Sequence, residues 1–121
     1  MAILIVEDDY LIAQNLEDEL TEAGFSVLGP AGSVSDAMAI IDEGGQPDAA
    51  ILDVNLGDET SFSLADMLAI AGIPFVFATG YGAEFLPEKF AGRPVVTKPC
   101  VVADLVDVVR NMPIVNPTVR H

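Results

Sequence analysis

Residues 2–9 read Ala-Ile-Leu-Ile-Val-Glu-Asp-Asp, a short apolar run that ends in three consecutive carboxylates. A continuous apolar run of this length is typical of a strand buried on both faces, as in a parallel sheet. In open parallel sheets, ligands bind beyond the carboxyl ends of the strands. The stretch therefore predicts a buried parallel strand and, at Glu7, Asp8 and Asp9, the position of a site.

Similar runs recur along the chain, at residues 25–28, 49–52, 73–78 and 94–97. Between them lie four segments with helical spacing: residues 12–20, a helix capped near Ser35, one that starts at Ser61 or Ser63, and residues 102–112. Residues 81–92 contain Gly82, Pro87 and Gly92 and predict only a short or mobile helix. Strands that alternate with helices predict a doubly wound α/β domain with a five-stranded parallel sheet.

The length of 121 residues has room for one domain, which we place at residues 1–113, followed by a flexible tail at 114–121. The net charge of -14 excludes non-specific binding to nucleic acid or to an anionic membrane. One cysteine and an N-terminal run interrupted by carboxylates give no sign of a disulfide framework or a secretory leader. We expect a soluble cytoplasmic protein.

The other strand ends carry complementary groups: Asp53 ends the third run, Thr79-Gly80 the fourth, and Lys98-Pro99 the fifth. Clustered carboxylates repel one another unless a cation is present, and Mg²⁺ prefers hard oxygen ligands. The predicted ligands are Asp8, Asp53, the backbone carbonyl of Asn55 and, through water, Glu7.

Asp53 is the best-placed nucleophile for an aspartyl-phosphate, with Lys98 and the Thr79 hydroxyl on the phosphoryl oxygens. Gly80 would leave the phosphoryl site unobstructed. A solvated charge cluster, a β-forming threonine and an ordinary surface lysine are the alternative interpretations of these residues.

Four stretches, each at a strand end, together resemble the signatures of a response-regulator receiver domain: Ile3 to Asp9, Ala50 to Leu56, Phe77 to Tyr81 and Val96 to Pro99. The resemblance spans nearly the whole chain. It implies a flavodoxin-like (βα)5 fold with strand order 2-1-3-4-5 and a cis peptide before Pro99. It also implies that Asp53 accepts a phosphoryl group from a sensor histidine kinase or a histidine phosphotransfer protein. Because no output domain follows Met112, we expect a stand-alone receiver, a monomer with no enzymatic activity beyond self-phosphorylation and autodephosphorylation.

The run Phe77 to Tyr81 resembles the FATGUY subgroup of receivers, which is often paired with kinases of the HWE or HisKA2 type. Ordinary receivers carry a switch aromatic where this chain has Val95, and often a phenylalanine where it has Cys100. Either Tyr81 or the ordering of residues 82–92 could replace the usual switch. The kinase should dock at the first helix, around Leu11, Gln14 and Asn15, and at the loop after Pro99.

Four other classes of protein are alternatives to this interpretation. A receiver-fold interaction domain that does not cycle phosphate is the main alternative, and the intact Asp53, Thr79 and Lys98 argue against it. A haloacid-dehalogenase-type phosphatase needs a second aspartate where Asn55 stands. A calcium loop needs a later glycine than Gly57, and a flavodoxin needs an anion site where this chain is acidic.

Overall fold

The computed structural model describes residues 1–80, 86–98 and 102–112. Its elements follow in the order β1 (Ala2–Val6), α1 (Tyr10–Glu22), β2 (Ser26–Ala31), α2 (Val34–Asp42), β3 (Ala49–Asp53), β4 (Asn55–Leu56), β5 (Glu59–Thr60), α3 (Phe62–Ile70), β6 (Phe75–Thr79), a 3₁₀ turn (Glu88–Phe90), β7 (Val95–Thr97) and α4 (Val102–Arg110).

Five parallel strands form the central sheet in the order β2-β1-β3-β6-β7. The short strands β4 and β5 form a separate antiparallel hairpin between β3 and α3. With that hairpin set aside, the order is the predicted 2-1-3-4-5, and the predicted flavodoxin-like fold class is confirmed. The arrangement brings the carboxyl ends of β1, β3, β6 and β7 to one edge of the sheet.

The core lies on both faces of the sheet because successive strand side chains point to opposite faces. On β1, Leu4 and Val6 join the cluster under α2 and α3. Ile3 and Ile5 join the cluster under α1 and α4. The continuous apolar run at residues 2–6 therefore marks a strand covered on both sides, as the sequence predicts.

Helix α1 shows how the local sequence sets an element next to the site. The carboxylate of Asp9 accepts hydrogen bonds from the backbone N–H groups of Leu11 and Ile12, at 3.0 and 3.2 Å, and so caps the first turn. Leu16 and Leu20 are buried against the sheet. The helix stops before Gly24, whose positive φ of 98° suits glycine.

Two predicted boundaries were wrong. Helix α2 is capped by Ser33 and not by Ser35: the Ser33 hydroxyl accepts the N–H of Asp36 at 3.1 Å. Strand β2 runs on to Ala31 because this edge strand keeps pairing with β1, where the carbonyl of Ala31 accepts the N–H of Glu7 at 2.9 Å. The apolar run at residues 25–28 predicted an earlier end, but the strand continues through Gly29 and Pro30, and proline is tolerated in an edge strand.

Four phenylalanine rings form a cluster on the α2/α3 side of the sheet. Phe77 is its centre, with the rings of Phe75 and Phe90 each 5.2 Å from its own and that of Phe62 at 6.0 Å. The guanidinium of Arg93 lies 4.5 Å from the Phe75 ring. The ring contacts of Phe90 hold the 3₁₀ turn Glu88–Phe90 against the sheet. In the described part of the weak segment 81–92, this turn is the single helical element.

Ser61 offers a direct test of local stability. Its hydroxyl is fully buried at the start of α3 and has no hydrogen-bond partner among the described residues. Because an unsatisfied buried hydroxyl keeps its desolvation cost, Ser61→Ala should stabilise the domain by about 1 kcal/mol in urea unfolding. Ser33→Ala is the matched control: it removes a working cap and should destabilise by about 1 kcal/mol. A loss of stability in both variants would contradict the interpretation of Ser61.

Candidate functional site

Three carboxylates meet where β1 and β3 end. Oxygen atoms of Glu7, Asp8 and Asp53 lie within 4.8 Å of one another. Glu7 and Asp53 are buried, with 5% and 8% of their surface exposed, whereas Asp8 is exposed. The site is thus half open, with two buried carboxylates and a third that is exposed to solvent. Asp9, the remaining carboxylate of the sequence cluster, instead caps α1.

Lys98 enters the cluster from the end of β7. Its Nζ donates to Glu7 Oε1 at 2.9 Å and lies 3.2 Å from Asp53 Oδ2. Its backbone N–H donates to the carbonyl of Thr79, which fixes the main chain beside the end of β6. The lysine is therefore a positioned counter-ion for both buried carboxylates.

The ionisation of the cluster follows from this geometry. Burial raises the pKa of Glu7, and the neighbouring Asp53 raises it further against the opposing effect of Lys98. Burial alone would lower the pKa of Lys98, but its hydrogen bond to Glu7 and the charges of Glu7 and Asp53 outweigh burial and raise it. Lys98 is therefore held as an ammonium, while one ammonium does not fully offset the carboxylates.

The donor set fits a magnesium ion. Mg²⁺ is bound in proteins through one or two carboxylates and several waters, and the open side at Asp8 leaves room for water. The buried negative charge that Lys98 leaves uncompensated is a second reason for a cation here.

The remaining predicted residues of β6 also reach this edge. Ala78 is the register partner of Asp53, and Thr79 follows it, 2% exposed and opposite Thr97. Gly80 is exposed, and a Cβ built there would meet no atom within 4 Å among the described residues. That Gly80 leaves the phosphoryl site unobstructed stays a prediction.

Asn55 lies in the hairpin β4–β5, which sequence analysis missed. Its side chain is exposed and it pairs with Thr60. The available signal was the Gly57-Asp58 pair: glycine with φ of 63° at the first of two turn positions is common in a two-residue hairpin. Glu59 lies in the same hairpin and was not identified from the sequence either. Its carboxylate accepts the N–H of Val34 at 3.1 Å.

A cavity of about 500 Å³ opens beside the carboxylates, between α1 and α4. Its walls are mainly apolar, and Asp53, Lys98 and Asn15 contribute polar groups. Around the same edge, Tyr10 and Leu11 are 76% and 73% exposed at the start of α1. The surface next to the site is therefore apolar as well as acidic.

Some predicted features lie outside the described residues: Tyr81, residues 82–85 after it, Cys100, and Pro99 with its cis peptide bond. Val95 is described and is the register partner of Phe77, at the position where a receiver usually carries its switch aromatic. Among the described residues, no helix combines the length and the apolar character needed to cross a membrane.

The structure is thus a flavodoxin-like α/β domain with an acidic cluster and a lysine at the carboxyl edge of its sheet. The family model "Response regulator receiver domain" matches residues 3–110, and the chain belongs to that family. It is thus a receiver domain of two-component signalling.

Among solved structures, the chain is similar to SdrG from Sphingomonas melonis Fr1, with 43% identity, 91% of this chain and 93% of that chain covered, and a TM-score of 0.75. It is equally similar to SdrG in its BeF3-activated conformation, with 44% identity, 90% and 92% coverage, and a TM-score of 0.74.

Among curated proteins, the phyllosphere-induced regulator PhyR of Methylorubrum extorquens is 35% identical over 69% of this chain and 32% of its own length. The transcriptional regulatory protein PdtaR of Mycobacterium tuberculosis is 30% identical over 86% of this chain and 52% of its own. The chain thus spans between a third and about half of the length of these curated relatives.

Proposed function

We propose that this receiver accepts a phosphoryl group on Asp53 from a phosphohistidine of a sensor kinase or phosphotransfer protein, in a Mg²⁺-dependent reaction. The observation that carries the proposal is Asp53 itself: a buried carboxylate at the end of β3, with an ammonium 3.2 Å from one oxygen and two further carboxylates within 4.8 Å. A neighbour at 43 to 44% identity, SdrG, has a BeF3-activated conformation, which is consistent with phosphoryl chemistry at such a site.

In the proposed step, a carboxylate oxygen of Asp53 forms a bond to phosphorus as the P–N bond of the phosphohistidine breaks. The electron pair of that bond leaves with the imidazole. Nearly all the catalysis required of the protein is alignment of the nucleophile and compensation of charge on the phosphoryl oxygens. The departing imidazole takes up a proton from solvent.

Asp8, Asp53, the Asn55 carbonyl and, through water, Glu7 are the residues proposed to hold Mg²⁺. When bound, the ion would neutralise charge on a phosphoryl oxygen and on the carboxylates. Lys98 would release part of its interaction with Asp53 and contact a second phosphoryl oxygen, while the Thr79 hydroxyl would contact the third.

We also propose where the partner binds and how the signal leaves. The exposed Tyr10 and Leu11 lie beside the acidic site, so that a partner with apolar and basic residues would complement this surface. The FATGUY-like run favours a kinase of the HWE or HisKA2 type. The phosphorylated domain would act by a conformational change centred on Thr79 and Tyr81 or on residues 82–92, by phosphate relay, or as a phosphate sink.

The test is intact-mass spectrometry after incubation with acetyl phosphate, with Mg²⁺ or with EDTA. The wild type should gain one phosphoryl group only with Mg²⁺, and hydroxylamine should remove it, as expected for an acyl phosphate. Asp53→Asn should gain none, because the amide lacks the nucleophilic carboxylate.

Asp58→Asn is the matched control, since Asp58 is exposed in the nearby hairpin turn and should not affect labelling. Absence of an adduct with acetyl phosphate and with a phosphorylated kinase would reject the proposal in favour of an interaction domain that does not cycle phosphate. Labelling of Asp53→Asn at the wild-type rate would reject Asp53 as the acceptor.

A further inference from the structure

The loop that follows Asp53 is folded as the hairpin β4–β5, which pairs Asn55 with Thr60 and Leu56 with Glu59. At its base, the N–H of Ser61 donates to the carbonyl of Val54 at 3.0 Å. An isolated hairpin of this size is at best marginally stable in water. Leu56 is 4% exposed and fixes one side of the hairpin in the core. The exposed side, which includes Asn55, needs another attachment if it is to keep a fixed position.

Glu59 supplies that attachment. Its Oε2 accepts the backbone N–H of Val34, the first residue of α2, at 3.1 Å. The first N–H groups of a helix have no acceptor within the helix, and a carboxylate is favoured at that end by the helix dipole. Ser33 accepts a different N–H, that of Asp36, so the two caps do not compete.

This hydrogen bond joins two loops that flank the acidic cluster, across 25 residues of sequence. On one side of this hydrogen bond is the β2–α2 connection. It begins directly after Ala31, whose carbonyl accepts the N–H of Glu7. On the other side is β5, which pairs with the strand that carries Asn55. A displacement of Glu59 would therefore shift β5 and, through the pairing of β4 with β5, the backbone of Asn55.

We propose that Glu59 is a positioning residue for the metal site: its bond to the α2 N-terminus fixes the hairpin that carries the Asn55 carbonyl, one of the proposed ligands. This inference rests on the proposed function, in which Asn55 is a ligand. Glu59 itself contacts neither the metal nor the phosphoryl group. Its effect is on Mg²⁺ affinity, in the way that residues around a metal site orient the direct ligands.

The experiment is a Mg²⁺ titration of ¹⁵N-labelled protein followed by NMR, for the wild type, Glu59→Ala, Glu59→Gln and Asp58→Ala, at a temperature where all are folded. Glu59→Ala should weaken Mg²⁺ binding roughly tenfold. Glu59→Gln should show a smaller loss, since its amide oxygen can accept the same hydrogen bond without the charge. Asp58→Ala removes an equal charge from the same turn and should bind as the wild type does.

Hydrogen exchange of the Val34 amide reports on the bond directly and should become faster in Glu59→Ala. Faster exchange with unchanged Mg²⁺ affinity would overturn the inference while leaving the proposed function intact. An equal loss of affinity in Asp58→Ala would also overturn it, because net charge would then explain the effect. A wild type that binds no Mg²⁺ would reject the proposed function, and this inference with it.

Discussion

Lys98→Ala should lower the rate of Mg²⁺-dependent phosphorylation of Asp53 by roughly 100-fold or more, the usual cost of losing one group that stabilises developing charge. The reason is the position of Nζ, which lies 3.2 Å from Asp53 Oδ2 and would therefore be next to a phosphoryl group formed on that carboxylate. The measurement is the initial rate of adduct formation from acetyl phosphate by intact mass.

The same substitution should also destabilise the metal-free protein. It leaves Glu7 and Asp53, whose side chains are 4% and 10% exposed, without their cation. Loss of one partner from a fully buried pair costs about 3–5 kcal/mol, and partial exposure of Lys98 reduces our expectation to about 2 kcal/mol in urea unfolding. Added Mg²⁺ should recover part of this loss, because it stabilises the folded state by binding to it.

Lys89→Ala is the matched control. Lys89 also forms an ion pair, with Asp66 at 2.8 Å, but both side chains are exposed by more than a third. We expect at most about 0.5 kcal/mol of destabilisation and no change in phosphorylation. Wild-type phosphorylation of Lys98→Ala would exclude a role for the lysine in the reaction.

Phe77→Ala should produce the largest loss of stability, about 3–5 kcal/mol, through the cavity that it leaves. Phe77 is fully buried and is in ring contact with Phe62, Phe75 and Phe90. A single domain has about 5–15 kcal/mol to lose, so a large fraction of the variant should unfold at moderate urea concentrations. The 3₁₀ turn held by Phe90 should loosen first and exchange its amide protons faster than β1.

Phe25→Ala provides the comparison, since Phe25 is half-buried at the rim of the other core cluster. Its loss should cost about 1 kcal/mol, in proportion to the smaller apolar area that it buries. Equal losses of stability in the two variants would contradict the prediction that the cavity left by Phe77 costs more than the half-buried surface lost at Phe25.

The sequence alone was sufficient for the fold class. Parallel strands buried on both faces require continuous apolar runs, and β1 and β3 follow those runs to within a residue. The site was also predictable in outline, because the carboxyl ends of such strands share one edge of the sheet. Glu7, Asp8, Asp53 and Lys98 could therefore be placed together before any distance was known.

Tertiary structure decided what joins these residues. Glu7 and Lys98 are 91 residues apart, and no local pattern indicates that Lys98 would bridge Glu7 and Asp53. Nor does one indicate that Asp9 would cap α1 instead of joining the cluster. The cap that Glu59 places on α2 from another loop is equally non-local. Periodicity reports which face of an element is buried, since that depends on near neighbours in the chain. The partner of a buried charge depends on how distant elements pack, and only the folded chain determines it.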